Sequence, residues 1–452
     1  LPFLYIKRIA MNYVTGKEPL NKIKLHQLLT KYARPLKTSA DLDPLLDLIG
    51  EAKYVLLGEA SHGTHEYYTW RTHITKRLIA EKGFSFIAVE GDWPDCYRLN
   101  RYVKGYPEAG KTAHSVLNEF TRWPTWMWAN WEVVALAEWL HKYNAKHPLN
   151  KRVGFYGLDL YSLWESIDAM VDYLRKTDPA MLKEAMKVVE CFEPYGRDEG
   201  SAYASAAMSL SHSCENEVVN LLTQLRKQLP RYNTDHEAVF SAGQNALVIA
   251  HAEAYYRAMF RGGASTWNLR DRHMVETLNS LMKFHGDDAK VIVWEHNTHI
   301  GDARATDMKR DGMVNVGQLV HEAHHRDGVV RVGFGSYKGS VIAGREWGDS
   351  MKKLPVPAAM EGSFEDMLHE HVKRNSLLIT RNLEEINFSH PIGHRAIGVV
   401  YNPEVERYGN YVPSVIPLRY EAFIYLDEMQ ALHPLHIAPH GHEIPDTYPW
   451  GV

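Results

Sequence analysis

The chain reads as an α/β protein: a mostly parallel central sheet flanked by helices, with a helical insertion over 161–285 inside a single domain of 1–452. Three observations predict this. Short apolar runs alternate with amphipathic segments up to about Asp159, the pattern of parallel strands joined by crossover helices. From about Ser162 to Phe284 the strand signal nearly vanishes, and Ala, Leu, Met, Glu and Lys recur at helical spacing. Strand-like runs then resume at 290–295, 328–334, 376–380, 396–401 and 421–426.

Taken in order, residues 19–50 read as a helical lead-in with Leu45, Leu46 and Ile49 facing inward. Tyr54-Val55-Leu56-Leu57 reads as a buried strand, followed by the turn Gly58-Glu59-Ala60-Ser61-His62-Gly63-Thr64-His65-Glu66. A helix is predicted from about Thr64 to Lys82, with Tyr67, Trp70, Ile74 and Leu78 on its inner face. The run Phe84–Val89 ends in Glu90, with Asp92 just beyond. Val153–Leu158 ends in Asp159, and Val291–Trp294 ends in Glu295-His296-Asn297-Thr298-His299. The insertion is expected to break near Pro194-Tyr195-Gly196 and Pro230, and the Pro- and His-rich stretch from Pro434 reads as an irregular tail.

Four hydrophobic runs thus finish in acid or imidazole groups. If the strands are parallel and adjacent, those groups converge on one rim, because open α/β sheets collect ligands at the carboxyl ends of their strands. His62 is the candidate general base, since imidazole exchanges a proton near neutral pH. Glu59 is read as orienting His62 or sharing its proton. His296 and His299 are candidates to complete a proton relay or donate to an oxyanion. Arg71 falls on the buried face of its helix, and a guanidinium there needs a carboxylate. It is read either as polarising a carbonyl or as a structural partner of Glu90. Substrate-binding candidates are Glu66, Asp92, Trp126, Trp128, Asp159 and Arg270. The rings Phe120, Trp123, Trp126, Trp128 and Trp131 suit a cleft wall as well as they suit core glue. The Arg270-Asp271-Arg272-His273-Met274 cluster is read as reaching the pocket or as a solvated surface.

Composition narrows the classes. Net charge is −4 and no long basic block occurs, against nucleic acid as the main partner. No run approaches a membrane span, and no signal-peptide layout opens the chain, so the expected setting is cytoplasmic, with Met11 as an alternative start. The three cysteines, Cys96, Cys191 and Cys214, form no metal motif and no disulfide framework and are read as buried or idle thiols. There is no G-x-S-x-G elbow, which favours direct attack by water over an acyl-enzyme. His321-Glu322-Ala323-His324-His325 resembles the zinc-protease helix motif, and His321 and His325, which share a helix face, read as a solvated surface pair. His433, His436, His440 and His442 are read as tail residues that would bind metal only adventitiously. The expected partner is a small-molecule substrate; oligomeric state leaves no mark.

The G-E-x-[ST]-H turn, the Arg nine positions after His62, the Glu closing the next strand and the late H-N-x-H segment together resemble the erythromycin esterase family. Tyr156-Gly157-Leu158-Asp159 and Trp126-Met127-Trp128 are similar to it as well, and the likeness runs from about 40 to 430. The resemblance implies an α/β core with a helical insertion, a cytoplasmic setting and hydrolysis of a cyclic ester, a macrolide lactone in the best-known members. It implies that His62 activates water, and that Glu59, Arg71, Glu90 and His296 occupy site positions, with His299 close by and Glu66 at a further family position. Some relatives carry a succinoglycan-biosynthesis label, which is a name and not chemistry. The expected site needs no cofactor. The alternatives are a divalent-metal hydrolase using Glu59, His62, Glu90 and His296 as ligands, and a homologue that binds without catalysis.

Overall fold

The computed structural model describes residues 22–197, 201–210, 213–232, 235–259, 264–386 and 391–436. The first residues, including Met11, and the tail histidines His440 and His442 lie outside them.

Eleven strands occur among the described residues: β1 (Arg34–Pro35), β2 (Tyr54–Leu57), β3 (Phe86–Asp92), β4 (Gly154–Asp159), β5 (Val291–Trp294), β6 (Val329–Ala343), β7 (Lys352–Val356), β8 (Ser376–Ile379), β9 (Ile392–Arg395), β10 (Tyr411–Ser414) and β11 (Ala422–Met429). Nine build one sheet in the order β1-β8-β11-β6-β2-β5-β3-β4, with β7 also paired to β6. From β11 to β4 every pairing is parallel; β8, β1 and β7 add antiparallel edges. The four strands whose ends carry acid or imidazole, β4, β3, β5 and β2, are contiguous.

The pleat sends alternate side chains to two apolar layers. Val55, Leu57, Ile87, Val89, Ile292 and Trp294 pack with Tyr67, Ile74 and Leu78 of the helix His65–Lys82 and with Leu136 and Leu140 of the helix Trp131–Asn144. Tyr54, Leu56, Phe86, Ala88, Val291 and Val293 pack the opposite way, against Met274, Leu278 and Leu281 of the helix Ala264–His285. Strands buried on both faces in this way read as unbroken apolar runs.

Between β4 and β5 the described chain is helical, broken by short turns at Glu193–Tyr195 and Leu229–Arg231. These helices hold their own cluster, with Leu163, Ile167, Val188, Leu221 and Ile249 at its centre. Among the described residues no helix is long and apolar enough to cross a membrane.

Two expectations are corrected. Residues 396–401 form no strand; the paired segment is β9, just before it, which joins β10 in a separate two-stranded sheet. The apolar run misled because β9 ends in His394 and Arg395, polar residues that are buried only because Glu365 and Glu406 pair with them. Cys191 and Cys214 are not idle thiols: they form a disulfide across 23 residues, with Cα atoms 5.9 Å apart. The helices Pro179–Phe192 and Glu215–Gln228 pack together and bring their ends within reach, a tertiary fact absent from the spacing. Cys96 is free and buried, as read. Cys191→Ser is expected to lower stability by about 3 kcal/mol, the loop-closure value for a crosslink of this span. Denaturant unfolding of the oxidised protein checks this, and a reductant should produce the same loss in the parent and none in the variant.

Candidate active site

The turn after β2 is shaped by close packing. A Cβ on Gly58 would lie 2.1 Å from Asn297 Oδ1, and one on Gly63 would lie 1.9 Å from the Ile342 carbonyl oxygen. Glycine at both positions lets this turn nest against the segment after β5 and against β6. The turn delivers Glu59 and His62, and the helix after it delivers Arg71.

His62 Nδ1 lies 2.9 Å from Glu59 Oε1, and Arg71 Nη2 donates to Glu59 Oε2 at 2.6 Å. Arg71 is fully buried and sandwiched by the rings of Tyr68 and Trp294, at 4.4 and 4.6 Å. It therefore holds Glu59 rather than Glu90, correcting one of the sequence readings: its helix covers the face from which Glu59 is reached. With Nδ1 engaged, His62 turns Nε2 toward Glu90 Oε1, 3.9 Å away.

Glu90 follows a register shift in β3 between Val89 and Asp92. Such a bulge re-aims a side chain, and here the Glu90 backbone carbonyl accepts from Trp128 Nε1 at 3.1 Å. The carboxylate accepts from Arg270 Nη2 at 2.8 Å and from the His296 backbone N–H at 2.8 Å. Arg270, from the helix Ala264–His285, also grips Asp159 through Nε and Nη2, at 3.0 and 2.5 Å, and lies 3.0 Å from His299 Nε2. The structure thus brings together Glu59, His62, Arg71, Glu90, Asp159, Arg270, His296 and His299. The rings of His62 and His296 are 4.9 Å apart.

Of the other sequence candidates, Asp92 pairs with Arg122 at 3.1 Å, and burial pushes its carboxyl up to about 7. Glu66 accepts from the Gln430 backbone N–H at 2.8 Å, at the rim. Trp126 is only 1% exposed and belongs to the core, so it acts as glue, and Trp128 buttresses the bulge behind Glu90. Arg272 is exposed, turned away from its neighbour Arg270.

Asp271 was missed as a site residue. Its carboxylate lies 3.0 Å from His299 Nδ1, and Trp267 stacks on the His299 ring at 4.5 Å. Helical spacing was the available signal, because Trp267, Arg270 and Asp271 at i, i+3 and i+4 share one face. Glu295 is buried with neither oxygen hydrogen-bonded among the described residues; burial, then Glu90 and Asp271, hold its carboxyl well above the usual range.

The electrostatics separate the two imidazoles. Burial disfavours charge on His62, but the Glu90 and Glu59 carboxylates outweigh it and raise the ring above its ordinary 6.5. His296 goes the other way: burial, then the His62 charge, hold it well below 6.5, against the opposing influence of Glu90 and the Ala60 carbonyl. Burial would raise Glu90, yet His299, His62 and Arg270 together keep it well below the usual carboxylate range. Asp159 is likewise lowered, Arg270 overcoming burial. His296 Nδ1 lies 2.8 Å from the Thr298 hydroxyl and 3.3 Å from the Thr298 backbone N–H, and its Nε2 makes no hydrogen bond among the described residues. Two imidazoles with opposite shifts therefore sit side by side.

Residues 79–429 match the family model described as erythromycin esterase. Similar proteins include erythromycin esterase type II of Escherichia coli, 22% identical over 81% of this chain and 90% of its own, and the putative hydrolase YbfO of Bacillus subtilis, 20% identical over 89% and 90%. Among solved structures, a succinoglycan biosynthesis protein superposes with a TM-score of 0.74 at 22% identity, over 92% of this chain and all of the other. A mutant of the erythromycin esterase EreC in its open conformation gives 0.64 at 15%, over 89% and 96%. At these identities the solved structures speak for the fold alone.

Proposed function

The chain belongs to the erythromycin esterase family, and on that premise we propose that it is a hydrolase that opens a carboxylic ester of the macrolide-lactone class by attack of a water molecule held by His62. The observation that carries this reading is the Glu59–His62 pair, with Nε2 facing Glu90 across 3.9 Å. A gap of that size is too long for a direct hydrogen bond and leaves both groups within reach of one shared water.

His62 Nε2 takes a proton from that water as its oxygen attacks the ester carbonyl. In the tautomer protonated on Nε2, His296 donates to the oxyanion that forms; that nitrogen has no hydrogen bond among the described residues. His62 then returns the proton to the leaving alkoxide, yielding an acid and an alcohol without a covalent intermediate. Arg71 fixes Glu59. Arg270 holds Glu90 and Asp159, and His299, braced by Asp271, completes the wall. Glu66 and Asp92 would meet a bulky substrate.

A divalent ion on Glu59, His62, Glu90 and His296 is the competing reading. Arg71 at 2.6 Å from Glu59 and Arg270 at 2.8 Å from Glu90 already balance both carboxylates, and a cation would sit against two guanidinium charges. That supports the metal-free route.

A panel of macrolides and activated esters, followed by mass spectrometry in ¹⁸O-water, tests the proposal. Expected are one heavy oxygen in the product acid, no acyl adduct on the protein, and turnover that survives metal stripping. Silence across the panel would favour a binding protein, and dependence on an added divalent ion would favour metal chemistry.

The acid limb of the pH profile is a further expectation. The base form of His62 is the neutral ring, and its titration lies above 6.5, so kcat/KM should rise with pH through a midpoint above that value. In the stability of the fold the sign reverses: charged His62 contributes below pH 6.5, and this is lost as pH rises through the folded value. An activity profile that is flat from pH 5 to 8 would contradict the assignment.

A further inference from the structure

We propose that His65, Glu132 and His433 form a site for one divalent transition-metal cation of the zinc class, which clamps residues 430–434 onto the first turn of the helix His65–Lys82. This site is separate from the His62 cluster and does not depend on the reading of that cluster.

The three donors come from segments far apart in sequence that backbone hydrogen bonds already hold together. The His65 N–H donates to the Gln430 carbonyl at 2.9 Å, the Leu432 N–H to Gly63 at 3.0 Å, and the Trp131 N–H to His433 at 3.0 Å. Isolated bridges between Thr64 and Ala431 and between Asn130 and Pro434 extend the same seam. The donor positions are therefore set by the fold before any ion arrives.

Glu132 sits in the first turn of the helix Trp131–Asn144 with its side chain wholly buried. Its Oε1 lies 2.7 Å from His65 Nδ1 and 2.7 Å from His433 Nδ1, while Oε2 has no partner among the described residues. The Thr69 hydroxyl donates to the His65 carbonyl at 3.0 Å, so it can only accept from His65 Nε2, 3.4 Å away. In the metal-free protein Nδ1–H donates to the carboxylate; an ion would take that proton's place on Nδ1, leaving the ring proton on Nε2, where the Thr69 hydroxyl accepts it. Orienting a ligand imidazole through its far nitrogen is how metal sites are usually supported.

Two imidazoles and one carboxylate, with a fourth position open to water, is a zinc-class ligand set. The ligand atoms all lie within 4.8 Å of one another. Bonds of about 2.0–2.1 Å in tetrahedral geometry want such atoms about 3.3 Å apart, a small opening of the 2.7 Å contacts. The side chains of His65 and His433 are 16% and 33% exposed, which gives an ion a path in.

The test uses the untagged full chain, stripped with a chelator and desalted, titrated with Zn²⁺ against a chromophoric competitor. Expected are uptake of one equivalent and a rise in melting temperature. His65→Ala and His433→Ala, both at partly exposed positions, should each weaken uptake at least a hundredfold and abolish the rise, while His62→Ala binds as the parent does. Absence of stoichiometric uptake by the parent would overturn the proposal. So would uptake unchanged in His433→Ala, or uptake lost in His62→Ala and kept in His433→Ala, which would put the ion on the other cluster.

Discussion

Replacing His62 with alanine is expected to lower kcat for ester hydrolysis by roughly three orders of magnitude, the usual contribution of a positioned general base. The fold should survive. The ring is small, and after its removal Glu59 keeps the Arg71 bond on its other oxygen. Circular dichroism and melting should therefore stay near the parent values while turnover collapses. Added imidazole should restore part of the rate, because the lost group is a base beside a carboxylate. A variant retaining more than about a tenth of parental kcat would remove His62 from the chemistry.

Arg270→Met should be the most damaging substitution for stability, at about 3–5 kcal/mol. The guanidinium binds Glu90 and Asp159 together, and removing it leaves two buried carboxylates facing each other without their shared guanidinium. The variant should regain stability as pH falls and those acids protonate, opposite in sign to the parent. There the lowered Glu90 and Asp159 contribute above the unfolded carboxylate range and are lost below it. Thermal melts from pH 4 to 8 measure both. Unchanged melting would mean that Arg270 does not hold the two acids together.

The core of the site was legible because β strands buried on both faces are apolar throughout, so the first charged residue after each run stands out. Glu59, Glu90 and Asp159 were found in that way, and His296 followed Glu295 at the end of the fourth run. What the runs could not give was pairing. Arg71 was matched to Glu90 because Glu90 closed the next strand in sequence; in space β5 lies between β2 and β3, and Arg71 meets Glu59 instead. Asp271 was passed over because a helical acid looks like surface until a histidine from elsewhere reaches it. His433 looked like loose tail for a related reason, since the residues that order it, Gly63, His65 and Trp131, lie hundreds of positions earlier. The short strands β7 and β10 each carry a proline, which breaks the usual strand signal.

The place of β5 has a bearing on how the molecule comes off the ribosome. β2 and β3 are synthesised early but flank a gap that only Val291–Trp294 can close. Until then the nascent chain carries β2 unpaired on both edges, since its other partner β6 comes later still, and β3 unpaired on one, past the whole helical excursion. Such edges invite pairing with other chains, and closing over so long a loop is slow. Efficient production should therefore lean on chaperones, and a chain terminated within the excursion should aggregate rather than persist as a folded half.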